Sequence, residues 1–252
     1  MRLSNCPALF LMDTTAVPEA TRQSASQWLS DSERKRMAAI ALPRRRDEFL
    51  AARYAMRLGM AHAHGESNWH NWLLSSQENH GPTVLRGPVS HSGHLPCLSL
   101  SHSCGLIAVG ISHGPLGIDL EVQGRSRPYS ELLELMGSVQ ERQRFETLPA
   151  AMRPAEFYRI WTLKEACFKR EGTGLDWARI RRLHTDPQAS PRNNAPAGAI
   201  WQGWHRTLPY TLALCATDRV SPACLTLLST LKAPEFVGLW RFVDIEHDTP
   251  AS

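Results

Sequence analysis

The chain is expected to be α+β, with two halves that pass through the same loose order of helix-rich and strand-rich segments although no residue-level repeat links them. Three observations carry that expectation. Residues 44–60 and 154–170 place apolar side chains at helical spacing, whereas residues 117–122 alternate apolar and acidic side chains with the period of a strand. Stretches rich in Gly, Pro, Ser and Asn, at 77–94 and 186–198, interrupt both periods and read as loops.

Taken in order, residues 8–12 read as an opening strand, 19–30 as a helix, and 33–40 as a second helix capped by Asp31 or Ser32 and ended before Pro43. Residues 44–60 form the clearest helix of the first half, with Phe49, Ala52, Met56 and Met60 along its buried stripe. Arg46, Arg53 and Arg57 flank that stripe. Residues 69–75 read as a strand, and 98–100 with 106–111 as two strands of a hairpin turning through Ser101, His102, Ser103, Cys104 and Gly105. The second half opens with the strand 117–122, continues through helices at 129–136, 139–148 and 154–170, and closes with strands at 180–184, 200–205, 210–216 and 236–242.

Composition bounds the function without choosing it. At 252 residues the chain is long enough for one large domain or two small ones, and 42% hydrophobic with 21% charged residues is the balance of an ordinary globular protein. A net charge of +4 favours acidic partners but is too small to argue for nucleic acid. The six cysteines, at 6, 97, 104, 167, 215 and 224, include no C-x-x-C pair, so neither a zinc site nor a redox motif follows. No apolar run is long enough for a signal peptide or a membrane span, and the expected setting is the cytoplasm.

Chemistry concentrates in two runs. In Gly117-Ile118-Asp119-Leu120-Glu121 an extended backbone sends both carboxylates to one face and both aliphatics to the other. In Trp161-Thr162-Leu163-Lys164-Glu165-Ala166-Cys167-Phe168-Lys169, Glu165 sits one helical turn after Trp161 and one turn before Lys169, with Lys164 on another face. Carboxylates at 119, 121 and 165 beside an ammonium suit a hard divalent cation, Mg²⁺ above all, that holds a phosphate-bearing substrate. Either run alone would pass for solvated acids or a surface ion pair. Their joint occurrence points to a site.

These two runs, spaced by about 40 residues and preceded by Ser101-His102-Ser103, resemble the signature of the 4'-phosphopantetheinyl transferases, in the larger single-chain group. The resemblance extends through Glu171-Gly172-Thr173-Gly174-Leu175 and covers about residues 30–220. It implies two similar lobes in pseudo-twofold arrangement, each a small, mostly antiparallel sheet packed with helices, divided as 1–114 and 115–252, with coenzyme A in the cleft between them. It implies Mg²⁺-dependent transfer of 4'-phosphopantetheine from coenzyme A to a serine of an apo acyl, peptidyl or aryl carrier protein, releasing adenosine 3',5'-bisphosphate, in the service of nonribosomal peptide, polyketide or fatty-acid synthesis.

By the same resemblance Asp119, Glu121 and Glu165 bind the metal, Glu165 acting as third ligand or, through a water, as base. Lys169 reaches a phosphate, and coenzyme A is contacted by Arg46, Arg53, Arg86, Ser101 and His102, with Arg44 and Arg45 as further candidates. The sequence departs from the family at G-[KR]-P: His80-Gly81-Pro82 and Arg86-Gly87-Pro88 both lack the middle cation, and Arg86 is the substitute from a shifted position. Carrier recognition is expected around 129–148, with Leu132, Leu133, Leu135 and Met136 as apolar contacts. A monomer acting on coenzyme A and a carrier protein, with no nucleic acid and no membrane, is the expected form. The alternatives are a protein of this fold that binds coenzyme A or a carrier without turnover, and an adaptor using the 44–57 helix alone.

Overall fold

The computed structural model describes residues 6–77, 80–88, 95–124, 126–188, 197–217 and 220–244. Strand β1 (Ala8–Asp13) divides its side chains by parity, Phe10 and Met12 entering one apolar cluster and Leu9 and Leu11 another. That is the pattern of a strand buried on both faces. The helix expected over 19–30 is two short ones, α1 (Glu19–Gln23) and α2 (Ala25–Trp28), broken at Ser24. Helix α3 (Asp31–Ala39) starts earlier than the sequence suggested, because Ser30 and Glu33 form a capping box in which each side chain bonds the other's backbone N–H, at 3.2 and 2.8 Å. Pro43 then opens α4 (Pro43–His64), which Gly65 ends in the left-handed conformation at φ 70°.

Two short strands, β2 (Leu73–Ser75) and β3 (Thr83–Arg86), pair as a ribbon, the second of them inside the stretch read as loop. The rest of that stretch falls partly on 78–79 and 89–94, outside the described residues. Strands β4 (Cys97–Ser103) and β5 (Leu106–Ser112) make the expected hairpin, with Cys104 and Gly105 both at positive φ, 49° and 86°, as a tight two-residue turn requires.

The second half runs β6 (Leu116–Val122), α5 (Tyr129–Met136), α6 (Val139–Thr147), α7 (Arg153–Glu171), α8 (Trp177–Arg182), β7 (Leu183–Gln188), β8 (Ala197–His205), β9 (Leu208–Ala216), β10 (Leu225–Leu227) and β11 (Glu235–Asp244). The strand expected at 180–184 is instead the end of α8 and the start of β7, since Asp176 caps a helix by accepting from Ala178 N and Arg179 N. The loop expected at 186–198 falls largely on 189–196, outside the described residues.

The α+β expectation holds. Strands order as β10-β1-β5-β4 in one sheet and β6-β9-β8-β11-β7 in the other, antiparallel except where β10 joins β1 in parallel. Strand β10 comes from the second half of the chain, so that half completes the first sheet. Leu9, Leu11, Ala108, Ile118, Leu120, Leu212 and Leu214 fill the space between the sheets. Helix α4 covers the outer face of the first, with Met56 and Met60 fully buried, and α7 the outer face of the second, with Ile160 and Leu163 fully buried. No helix among the described residues is long and apolar enough to cross a membrane.

Candidate active site at the seam between the sheets

Alternation along β6 sends Ile118 and Leu120 into the core between the sheets, which leaves Asp119 and Glu121 facing α7. Gly117 lets the helix come close. A Cβ there would lie 1.9 Å from Ala166 O and 2.4 Å from Arg170 N, so only a residue without one fits between strand and helix. This approach brings the last turns of α7 over the acids. Lys169 Nζ reaches Asp119 Oδ1 at 2.6 Å, and Ser101 of β4 donates to the same oxygen at 3.0 Å. Ser103 donates to Glu121 Oε2 at 3.4 Å. Asp119 is 5% exposed, and its Oδ2 has no hydrogen-bond partner.

The three carboxylates feel one another. Burial pushes the Glu165 carboxyl above its ordinary pKa and the Asp119 charge pushes further, Lys169 opposing and Glu121 adding. Glu121 is raised likewise by burial and by Asp119, with Arg127, Ser103 and Trp161 pulling the other way. Three acids against the one ammonium that bonds Asp119 leave excess negative charge in a partly desolvated place. Together with the orphaned Asp119 oxygen, that is the donor chemistry a hard divalent cation satisfies. Among the described residues no three His, Cys, Asp or Glu side chains are drawn in tightly enough to grip an ion as they stand. By oxygen type, charge and one unpartnered atom the residues suit a hard divalent cation, without forming a closed set of ligands.

Beside the acids opens a cleft of about 300 Å³, lined by Gly81, Pro82 and the β4 residues Leu98, Ser99 and Leu100 on one side. Glu165, Phe168, Lys169, Gly172, Gly174 and Leu175 line the other. His102 stands at the solvent edge of β4. Burial of part of its ring lowers its pKa, Glu48 opposing and Arg45 and Lys169 reinforcing, so three basic groups share this neighbourhood.

The other expected basic residues have these surroundings. Arg46, exposed in the first turns of α4, donates from Nε to Ile40 O at 2.5 Å. Arg53 is 6% exposed, donates to Ser76 Oγ at 3.1 Å, stacks on Phe49 at 4.5 Å and lies 3.8 Å from Glu33, to which Arg57 binds bidentately at 3.1 and 2.6 Å. Burial lowers the Arg53 pKa to about 10, with Glu33 countering and Arg57 adding to the effect. Arg86 is exposed on β3 and does not line the cleft, although Gly81 and Pro82 do. Arg44 pairs with Glu48 at 3.1 Å. The Arg45 charge on α4 helps lower the His102 pKa.

Lys164, set aside by the sequence as facing another way, is fully buried and binds Glu141 Oε2 at 2.6 Å, Met136 O at 2.8 Å and Ile180 O at 2.9 Å. It ties α5, α6 and α8 to α7. Sequence reasoning missed the serine contacts. Ser99, Ser101 and Ser103 recur with strand period, a visible signal, but nothing in the sequence says which strand they face.

Residues 115–215 match the model of the 4'-phosphopantetheinyl transferase superfamily. The chain is 28% identical over 148 residues to a putative 4'-phosphopantetheinyl transferase of Synechocystis sp., a match covering 58% of each chain. It is 28% identical over 150 residues to the 4'-phosphopantetheinyl transferase psf-1 of Bacillus pumilus, covering 57% of this chain and 60% of that one. It is also 27% identical over 186 residues to the 4'-phosphopantetheinyl transferase HetI of Nostoc sp., covering 73% and 76%. The chain thus spans about six tenths of the first two relatives' length. The matched region contains both acid-bearing motifs.

Proposed function

We propose, from the match of residues 115–215 to the 4'-phosphopantetheinyl transferase superfamily and from the acids gathered where β6 meets α7, that this chain transfers 4'-phosphopantetheine from coenzyme A to a serine of an apo carrier protein. The observation that carries the reading is the placement of Asp119, Glu121 and Glu165 about one ammonium and one unpartnered carboxylate oxygen where β6 meets α7. Asp119 and Glu121 would hold Mg²⁺, with Glu165 as third oxygen donor. Bound there, the ion would neutralise pyrophosphate charge and polarise phosphorus.

The chain's own residues do the rest. Lys169, already at the mouth of the cleft, pairs with a phosphate, and His102 and Arg45 hold the outer phosphate charge at the rim. Arg46 lies next along the same exposed turn. Arg53 and Arg86, away from the cleft, have no part in this reading. Leu98, Leu100, Phe168 and Leu175 give the cleft apolar walls suited to the pantetheine arm. The carrier serine oxygen bonds to the β-phosphorus, the bond from that phosphorus to the bridging oxygen breaks, and adenosine 3',5'-bisphosphate leaves with the electron pair. Glu165, which lines the cleft, takes the serine proton through a water.

The carrier would approach over α5 and α6, where Leu135 and Val139 stand exposed while Leu133 and Met136 pack beneath them. Incubating the chain with coenzyme A, Mg²⁺ and an apo carrier protein tests the proposal. The enzyme adds about 340 Da to the carrier, one phosphopantetheine. A protein that only binds coenzyme A or the carrier leaves its mass unchanged, and that result across several carriers refutes the reading.

A further inference from the structure

We infer that the alternate serines of β4 form a ladder that locks the seam between the two sheets, and that its middle member, Ser101, positions Asp119 and is not a ligand of substrate phosphate. The inference rests on the functional reading above for what Asp119 holds. Strands β4 and β6 are edges of different sheets, so no backbone ladder joins them. The free N–H groups of β6 are met by side chains instead: Ile118 N donates to Ser99 Oγ at 3.0 Å, Leu120 N to Ser101 Oγ at 3.1 Å and Val122 N to Ser103 Oγ at 3.1 Å. Period two on both strands keeps the three rungs in register. A slip of one residue on β4 would remove every one of them.

A hydroxyl has one proton to give and two lone pairs to offer. Ser101 uses all three. Its oxygen accepts from Leu120 N and from Lys169 Nζ, the latter at 3.3 Å, and its proton goes to Asp119 Oδ1 at 3.0 Å. The residue is 7% exposed. A phosphate oxygen would need the hydroxyl proton that Ser101 already donates to Asp119, and would have to reach it through buried surroundings.

The arrangement also decides which Asp119 oxygen is available. Oδ1 is held by Ser101 and by Lys169, whereas Oδ2 is the buried atom without a partner. The carboxylate therefore cannot turn without breaking two bonds, and Oδ2 is the donor left for a cation. Ser103 repeats the device one rung on, more weakly, through its 3.4 Å contact with Glu121. Ser99 makes the same seam bond with no acid behind it. Asp119 is thus set between a hydroxyl from the first sheet and Lys169 of α7.

Two binding measurements on the 252-residue chain separate positioning from phosphate contact: Mn²⁺ affinity by electron paramagnetic resonance without nucleotide, and adenosine 3',5'-bisphosphate affinity by calorimetry without divalent ion. Ser101→Ala should weaken Mn²⁺ roughly 3–10-fold, the effect of one lost hydrogen bond, and leave the nucleotide within about twofold. His102→Ala should do the reverse. Ser99→Ala should lower the thermal midpoint while keeping Mn²⁺ affinity. If Ser101→Ala loses nucleotide affinity and keeps Mn²⁺, the inference is overturned while the function stands. Should that variant fail to fold, Ser103→Ala decides the matter, with Mn²⁺ weakened about 2–3-fold expected and unchanged affinity refuting the ladder's role. Wild-type protein that binds neither probe sinks the functional reading and this inference with it.

Discussion

Replacing Gly117 by alanine tests whether the approach of β6 to α7 builds the site. The added methyl would stand 1.9 Å from Ala166 O and 2.4 Å from Arg170 N, where real contacts stay beyond 3.0 Å. Both obstacles are helix backbone, so no side chain can swing aside. Strand and helix must separate by about 1 Å, carrying Glu165 and Lys169 away from Asp119. Overpacking of this kind costs roughly 1–3 kcal/mol, and a backbone clash belongs at the upper end. A displacement of about 1 Å in a reacting constellation costs on the order of 10²-fold in rate. We expect Gly117→Ala to lose about 3 kcal/mol in urea unfolding and, at a temperature where it is fully folded, about 100-fold in kcat for carrier modification. Wild-type stability and rate in this variant would show that the close approach is not what assembles the acids.

Further expectations follow from the same geometry. Asp119→Ala, folded by circular dichroism, should lose Mg²⁺-dependent transfer; undiminished rates at saturating Mg²⁺ would remove the residue from the mechanism. Lys164→Met strands a buried Glu141 and should cost about 3–5 kcal/mol in urea unfolding, with kcat within about threefold when assayed cold. Lost transfer at unchanged stability would move Lys164 from scaffold to substrate. Burial alone would raise the Glu141 carboxyl, but Lys164, Ser138 N and Thr185 outweigh it and the net shift is downward. A lowered carboxyl contributes its stability above the ordinary carboxylate range and loses it as pH falls through the folded-state value. Glu141→Gln should therefore flatten the acid limb of the stability profile between neutral pH and pH 3, and parallel loss in mutant and wild type would count against the assignment.

Much of the site was legible because its two runs carry their own geometry. Alternation along 117–121 fixes which side chains share a face, and the i, i+4 spacing of Trp161, Glu165 and Lys169 fixes a helix stripe, whatever surrounds them. What depends on distant partners was not legible. Arg53 reads as the flank of an amphipathic helix, yet Glu33, which reads as a first-turn acid, is buried by its capping box and by Arg57 and draws Arg53 inward with it. Strand β10 is three residues long, too short for a period, and its parallel pairing with β1 is set by tertiary packing alone. The β4 serines showed their spacing but not their addressee, because the edge of β6 reaches them only once the two sheets close on each other.

In the proposed mechanism three acids from one strand and one helix serve a single cation. Crystals grown with Mn²⁺ and coenzyme A, measured for anomalous scattering, test it most directly. We expect one peak about 2.0–2.3 Å from oxygens of Asp119 and Glu121, with Oδ2 as the Asp119 ligand, and with Glu165 bonded directly or through one water. A peak away from these carboxylates, or one that leaves Asp119 Oδ2 unligated beside bound coenzyme A, would contradict it.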